Sequence, residues 1–444
     1  MKPRLRLSIG TSALGLILAI APAAFAGSFA LNENSAVDTG RANSGRVTQI
    51  DDASAAFGNP ALMTQFDQIT ITAVGSYING SADFQDTGST DLLGNSLGGD
   101  TGGFFDDAVL PAFHAVYPIS ERVSAGLSVN APFGLSSTYD ETWAGRYQAV
   151  GSSLETYNVN PSLAVKISDA LSLGGGIDIQ YATAELSSAI DFGAVCFAQL
   201  GPANCGAAGL VPQSADGRLV VKGDDVSVGY NVGAAFTPTD SLKFGLTYRS
   251  KIEHDLTGQA DFTVPDSAQL LTATGAFRDT DTRANLPLPS VLEVGVEWQA
   301  TDDLRVSANY YTTDWSQLQA LAVEFDNPAQ PPTAETLNYR DSSRYGVGLD
   351  YDISRNFTLR AGCAFDESPV RPDFRTARIP DNDRNIYAVG ASYKGIDGWQ
   401  FDVAYNYLDV DTSNFDRTGP FNDHVLGVLT ADVNLFSAGI TKRF

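Results

Sequence analysis

Residues 399–407 read Trp399-Gln400-Phe401-Asp402-Val403-Ala404-Tyr405-Asn406-Tyr407, with a large apolar side chain at every second place and a polar or small one between. Successive side chains of an extended chain point to opposite sides, so this pattern makes a strand whose two faces meet different surroundings. Tyr345, Val347, Leu349, Tyr351 and Ile353 alternate in the same way with Gly346, Gly348, Asp350, Asp352 and Ser354. The rhythm recurs at Leu242–Tyr248, Val228–Ala234 and Leu304–Tyr310. No comparable run has helical spacing.

Two all-β architectures fit such strands. A soluble sandwich uses strands of about 5–6 residues with an aliphatic inner face. Here the segments reach lengths that cross a bilayer at a tilt, and aromatics often end them, as in membrane strands that anchor in both interfaces. The partner face carries Gly, Ser, Asn, Asp and Lys, which suits a hydrated or filled lumen. Fourteen segments can be counted, from 68–83 to 427–444, among them 123–139, 225–237, 288–299, 303–320 and 335–353. An even number suits a single-chain bacterial barrel. Short polar turns alternate with longer connections around 84–108, 189–224, 264–287 and 367–383, which would face outside.

Composition agrees. The 444 residues carry 52 acidic and 28 basic side chains, a net charge of −24. With no basic stripe to neutralise phosphates, nucleic acid is excluded as a partner. At the start, Lys2, Arg4 and Arg6 precede an apolar stretch to Ala21, and Ala24-Phe25-Ala26 offers small residues for cleavage. Residues 1–26 therefore read as a signal peptide. Residues 27–67 lack the period-two pattern and form a second unit, with scattered anchors at Phe29, Leu31, Val37, Ile50, Phe57 and Leu62. Asp51 and Asp52 could open a short helix that Gly58 ends, before Asn59-Pro60 turns the chain. A plug inside the lumen is the expected place for it, with the barrel spanning 68–444.

Several ordered motifs then point to one family. Phe29-Ala30-Leu31-Asn32-Glu33, Gly40-Arg41-Ala42, Asp51-Asp52-Ala53 and Asn59-Pro60-Ala61-Leu62 resemble the N-terminal hatch of the FadL family. These are outer-membrane transporters of long-chain fatty acids and other hydrophobic compounds. Asn130-Ala131-Pro132-Phe133-Gly134-Leu135, Thr313-Asp314-Trp315-Ser316 and Ile379-Pro380-Asp381-Asn382-Asp383-Arg384 are similar to further signatures of that family. The resemblance implies a fourteen-stranded barrel with a hatch, passive uptake and lateral exit through the wall. The terminal Phe444 resembles the signal that such barrels present to their assembly machinery. The expected surroundings are outer-membrane lipid and lipopolysaccharide.

The candidate opening lies in 123–139. Pro132 removes a ladder donor and Gly134 a side chain in mid-strand, where both mark a bulge or break; the resemblance places an inward kink at Ala131, Pro132, Phe133 and Gly134. Phe29, with Asn59, Pro60 and Ala61, is the candidate gating set of the hatch. A fatty acid also needs a cation for its carboxylate. Near Ala184–Ile190, where the resemblance implies one, the chain reads Glu185-Leu186-Ser187-Ser188, so Arg249, Lys251 and Arg340 stand as the candidates.

Other chemistry finds little footing. Gly94-Asn95-Ser96-Leu97-Gly98 fits a nucleophile pattern without the strand and helix it needs. His114, His254 and His424 lack ligand spacing, and Asn414 stands where a calcium loop opened by Asp409 and Asp411 would need glycine. No enzyme, metal or cofactor is expected. Cys196 and Cys205 share one outer connection and could pair in an oxidising compartment. Long-chain fatty acids are the first substrate class and neutral or aromatic hydrocarbons the second. A porin for small polar solutes, which needs an open lumen with a charged constriction, is the competing function.

Overall fold

The computed structural model describes residues 28–444, so the expected signal peptide lies outside the described residues. Fourteen antiparallel strands close on themselves. They are β1 (Thr70–Asp86), β2 (Ala108–Ser120), β3 (Val123–Asn130 and Gly134–Thr138), β4 (Gly151–Lys166), β5 (Leu171–Asp191), β6 (Asp216–Thr239) and β7 (Leu242–Arg249 and Ile252–Thr263). There follow β8 (Thr280–Leu288 and Val291–Thr301), β9 (Leu304–Thr313), β10 (Ser342–Ser354), β11 (Phe357–Asp366), β12 (Arg384–Lys394), β13 (Trp399–Thr418) and β14 (His424–Arg443). The last strand returns to the first in unbroken register, from Thr70 opposite Arg443 to Asp86 opposite Gly427. Closure leaves no sheet edge to be satisfied in lipid.

Alternation decides which face is which. Phe401 and Val403 are 50% and 57% exposed, whereas Gln400 and Asp402 between them are buried. The apolar row therefore faces lipid and the polar row faces inward. Outward aromatics pair across strands, as Tyr157 does with Tyr181, Tyr310 with Tyr345, and Tyr387 with Tyr407.

Several strands differ from expectation in their ends: that expected over 288–299 begins at Thr280 and that expected over 335–353 at Ser342. β6 begins at Asp216 rather than 225, because Asp216–Asp224 keeps its ladder to β5 above the apolar band. The strand expected over 303–320 ends at Thr313, after which Trp315–Gln317 makes a single 3-10 turn and a separate outer hairpin pairs Ala320–Val323 with Thr333–Thr336.

Residues 28–68 fill the lumen as a hatch. Ser35 caps a short helix, Ala36–Thr39, by accepting from Asp38 N. A second helix covers Ala55–Gly58, with Asp52 Oδ1 accepting from Ser54 N at 2.8 Å, and Asn59 then caps the 3-10 turn Pro60–Gln65. Charge fastens the hatch to the wall. Arg41 reaches Asp38 (3.0 Å) and Asp350 of β10 (2.7 Å), Asp350 also receives Arg360 of β11 (2.6 Å), and Arg46 pairs with Glu293 of β8 (2.5 Å). Removing one partner of such a buried pair typically costs about 3–5 kcal/mol, because the other is left uncompensated.

Candidate functional site

The break in β3 sits where Pro132 denies the ladder a donor. Asn130 pairs with Asn158 and Gly134 with Glu155, so residues 131–133 face only residues 156 and 157 of β4. On the other side the β2–β3 ladder stops at Phe113 opposite Val129, leaving the upper part of β2 bonded to β1 alone. The ladder between β2 and β3 is therefore interrupted above Val129, until Phe105, just before β2, bridges Ser137.

The start of the hatch occupies the inner side of this break. Leu31 N donates to Pro132 O at 2.8 Å, and Gly134 N donates to Phe29 O at 2.9 Å. Thr156 Oγ1 accepts from Phe133 N (2.9 Å) and donates to Phe133 O (2.6 Å). Groups freed by the kink are thus satisfied by the hatch and one threonine, as burial requires.

Phe29 is 2% exposed and lies edge-on to Trp315, ring centroids 4.6 Å apart, with Phe133 at 6.2 Å. Trp315 in turn meets Tyr339 at 6.1 Å. Leu288, Leu318, Val370 and Ile379 complete this apolar lock. Behind it, Asp381 accepts from Ser28 N (3.0 Å), Ser368 Oγ (2.6 Å) and Arg384 Nη2 (2.5 Å). The two downstream motifs thus meet at the start of the hatch, with Trp315 against Phe29 and Asp381 against Ser28.

Above the lock, at the outer mouth, a cavity of about 340 Å³ is walled by Leu186, Leu219, Val221, Leu321 and Val323, with Arg378, Arg417 and Glu335 at its polar side. Arg378 pairs with Glu335 at 3.3 Å and donates to Gly151 O and Ser187 O at 3.1 and 3.3 Å. Burial raises the Glu335 carboxyl above its ordinary range, although Arg378 opposes the rise. Burial likewise lowers the Arg378 guanidinium, with Glu335 opposing.

The residues singled out from sequence fall in different places. Asn59, Pro60 and Ala61 touch the wall at Gly233 and Gly174, where a Cβ on Gly174 would lie 2.6 Å from Ala61 N. Asn59 Nδ2 donates to Val47 O and Ala234 O, both at 3.0 Å. Phe57 and Gly58, rather than these three, share a small cavity with Pro132 and Phe133. Arg249 is committed to Asp178 and to the hatch, donating to Phe57 O at 2.9 Å with its guanidinium 3.9 Å from the Phe57 ring. Lys251 is exposed and paired with Glu253, and Arg340 donates to Ser368 O at 3.3 Å. None of the three lines the mouth cavity, and its cations, Arg378 and Arg417, were not among the candidates. Arg378 stands directly before the Ile379-Pro380-Asp381 motif, a position that could have drawn attention to it. His114, His254 and His424 lie apart, on Asn34 and Ser128, on Asp225 and Gln180, and on Asp416. Cys196 and Cys205 form a disulfide across two short helices of the outer loop, and Cys363 is free and exposed on the outer face.

A closed, lipid-faced barrel with a charged plug and an apolar lock at a break in the wall ladder defines an outer-membrane transporter of hydrophobic compounds. Residues 17–444 match the family described as outer membrane protein transport protein (OMPP1/FadL/TodX), and the chain belongs to it. It is 31% identical over 409 residues to the long-chain fatty acid transport protein of Escherichia coli O6:H1, covering 89% of this chain and 90% of that one. Outer membrane protein P1 of Haemophilus influenzae is 29% identical, covering 96% and 97%. Among solved structures, a Pseudomonas aeruginosa FadL homologue superposes with a TM-score of 0.86 at 27% identity, covering 94% of this chain and all of that one. The Pseudomonas putida toluene transporter TodX shares the fold, with a TM-score of 0.70 at 16% identity over 91% of this chain and 98% of that one.

Proposed function

We propose that this transporter takes up long-chain fatty acids and releases them sideways through the β3 kink into the outer membrane. One observation carries the reading: an apolar cavity at the mouth holds two arginines, and from there Ile379, next to Arg378, leads into the Phe29–Trp315 lock against the kink. A carboxylate would pair with Arg378 or Arg417 in place of Glu335, and charge-assisted bonds of this kind are the strong ones. The acyl chain would displace Phe29, and loss of Phe29 would free the two backbone bonds that tie the hatch to Pro132 and Gly134. The fatty acid transport protein of Escherichia coli, 31% identical, supports this substrate class.

Neutral aromatic hydrocarbons are the second reading, favoured by the four rings of Phe29, Phe133, Trp315 and Tyr339, which offer edge and face contacts without charge. Uptake by cells with and without the protein, measured across fatty acids, alkanes and toluene, decides between the two. A large steady ion current in a planar bilayer would instead indicate a porin.

A further inference from the structure

The β3 kink is not the wall's sole interruption among the described residues. Between β6 and β7 the ladder runs up to Asn231 opposite Arg249 and resumes at Asp224 opposite Thr257. Between those points one backbone bond crosses, from Ser250 N to Tyr230 O at 2.8 Å. β7 and β8 break at the same level, at residues 250–251 and 289–290, and Pro289 has no N–H to give. β9 leaves the wall just beyond, at Asp314.

Cavities lie on both sides of this weak place. Inside, the small cavity that touches Pro132 and Phe133 is bounded across the lumen by Arg249 and Val291. Outside, a notch of about 790 Å³ is lined by Val228, Tyr230, Tyr248, Ser250 and Ser290, with Lys251, Asp314 and Gln317 on its polar side. Arg249 and Ser250, and Val291 and Ser290, are chain neighbours, so one thickness of backbone separates the two, held across the gap by Ser250 N on Tyr230 O and by Tyr230 N on Ser250 Oγ at 2.9 Å. The notch opens towards lipid, since Val228 and Tyr230 are 63% and 53% exposed on the apolar face.

Side chains close the window. Ile252, 4% exposed, packs over Gly229, where a Cβ would come within 2.7 Å of its Cγ1. Arg249 bolts it from within, joined to Asp178 of β5 and to Phe57 of the hatch. A hatch movement that withdraws Phe57 therefore removes one of the two bolt contacts.

We propose that this window, framed by Val226–Gly229, Ser250–Lys251 and Pro289–Ser290, is a second lateral gate through which hydrophobic substrate reaches the membrane. The proposal rests on the transporter reading. It predicts that closing the kink alone leaves part of the flux.

Uptake of labelled oleate and of toluene into cells tests it, with heat-modifiable migration on gels certifying folded barrels. In a Cys363→Ala background, the kink is straightened by deleting Pro132, or filled by Gly134→Trp should the deletion not assemble. The notch is plugged by Ser290→Cys modified with a bulky maleimide. Uptake above the protein-free background in the kink variant, lost on plugging and increased severalfold by Ile252→Ala, is the expected result. Background uptake in the kink variant, or uptake unaffected by the plug, overturns the second gate while leaving the transporter reading intact. No uptake by the parent barrel overturns that reading and this one with it.

Discussion

Ser28 donates its backbone N–H to the Asp381 carboxylate at 3.0 Å, joining the start of the described chain to a loop 353 residues away. The same carboxylate neutralises the buried Arg384. Asp381→Ala therefore leaves Arg384 with Asp366 alone, at 3.7 Å, and releases the hatch tip, at a cost below the roughly 3–5 kcal/mol of a fully unpaired buried charge. Hydrogen exchange of residues 28–31 should accelerate while barrel strands such as β14 stay protected. Unchanged exchange at the tip would count against the tether.

Phe29→Ala removes the ring that Trp315 and Phe133 enclose. Loss of a buried Phe costs about 3–5 kcal/mol, enough to populate an unseated tip. With the tip unseated, fatty acid uptake is expected to rise severalfold, with flickering conductance appearing in planar bilayers. Parent-level uptake with a silent bilayer would show that the ring is merely an anchor.

Deleting Pro132 matches β3 to β4 one for one, because three residues now face two. The barrel should still assemble and resist denaturation as the parent does. Uptake should drop severalfold, and parent rates in folded protein would remove the kink from the pathway.

Arg378→Gln separates the substrate classes. A charged hydrogen bond contributes about 1.5–3 kcal/mol, so half-saturation for oleate should rise about tenfold or more while toluene uptake holds. Equal effects on both would dissociate Arg378 from the carboxylate.

Hatch seating should depend on pH through Asp38, which burial pushes up to about 6 despite the opposing Arg41. A carboxyl whose seated value exceeds its free one stabilises seating fully below the free value, and loses that contribution as pH rises through 6. Asp51 acts oppositely: burial would raise it, but Arg305, Arg360 and Arg41 hold it well below the usual range. Its contribution is present above about pH 4 and lost on further acidification. Exchange protection of residues 35–52, corrected for intrinsic rates, should therefore decline from pH 4.5 to 7. A flat profile in the parent, or the same slope in Asp38→Asn, would refute the assignment.

The wall was legible because lipid and lumen impose a period-two code on every strand, and Trp399–Tyr407 displays it without help from distant residues. Pro132 was legible for the same local reason: it cannot donate wherever it sits. Trp315 was legible only within a motif that resembles a family signature; its seat against Phe29 was not, since only the loss of a β8 partner beyond Val291 turns it inward. The cations of the mouth were hidden for a related reason. Arg378 gains its meaning from Leu219 of β6 and from Leu321 and Glu335 of the outer hairpin between β9 and β10, and no spacing along the chain encodes that meeting.

The short bridge of Phe29–Leu31 to the kink means that, on the proposed route, the piece that blocks the passage never leaves the molecule. Tethering keeps it at millimolar effective concentration beside its seat, so return after each passage needs no energy source and no helper. On the proposed route such a device would be a self-resetting valve, its direction of flow set by where the cargo is scarcer.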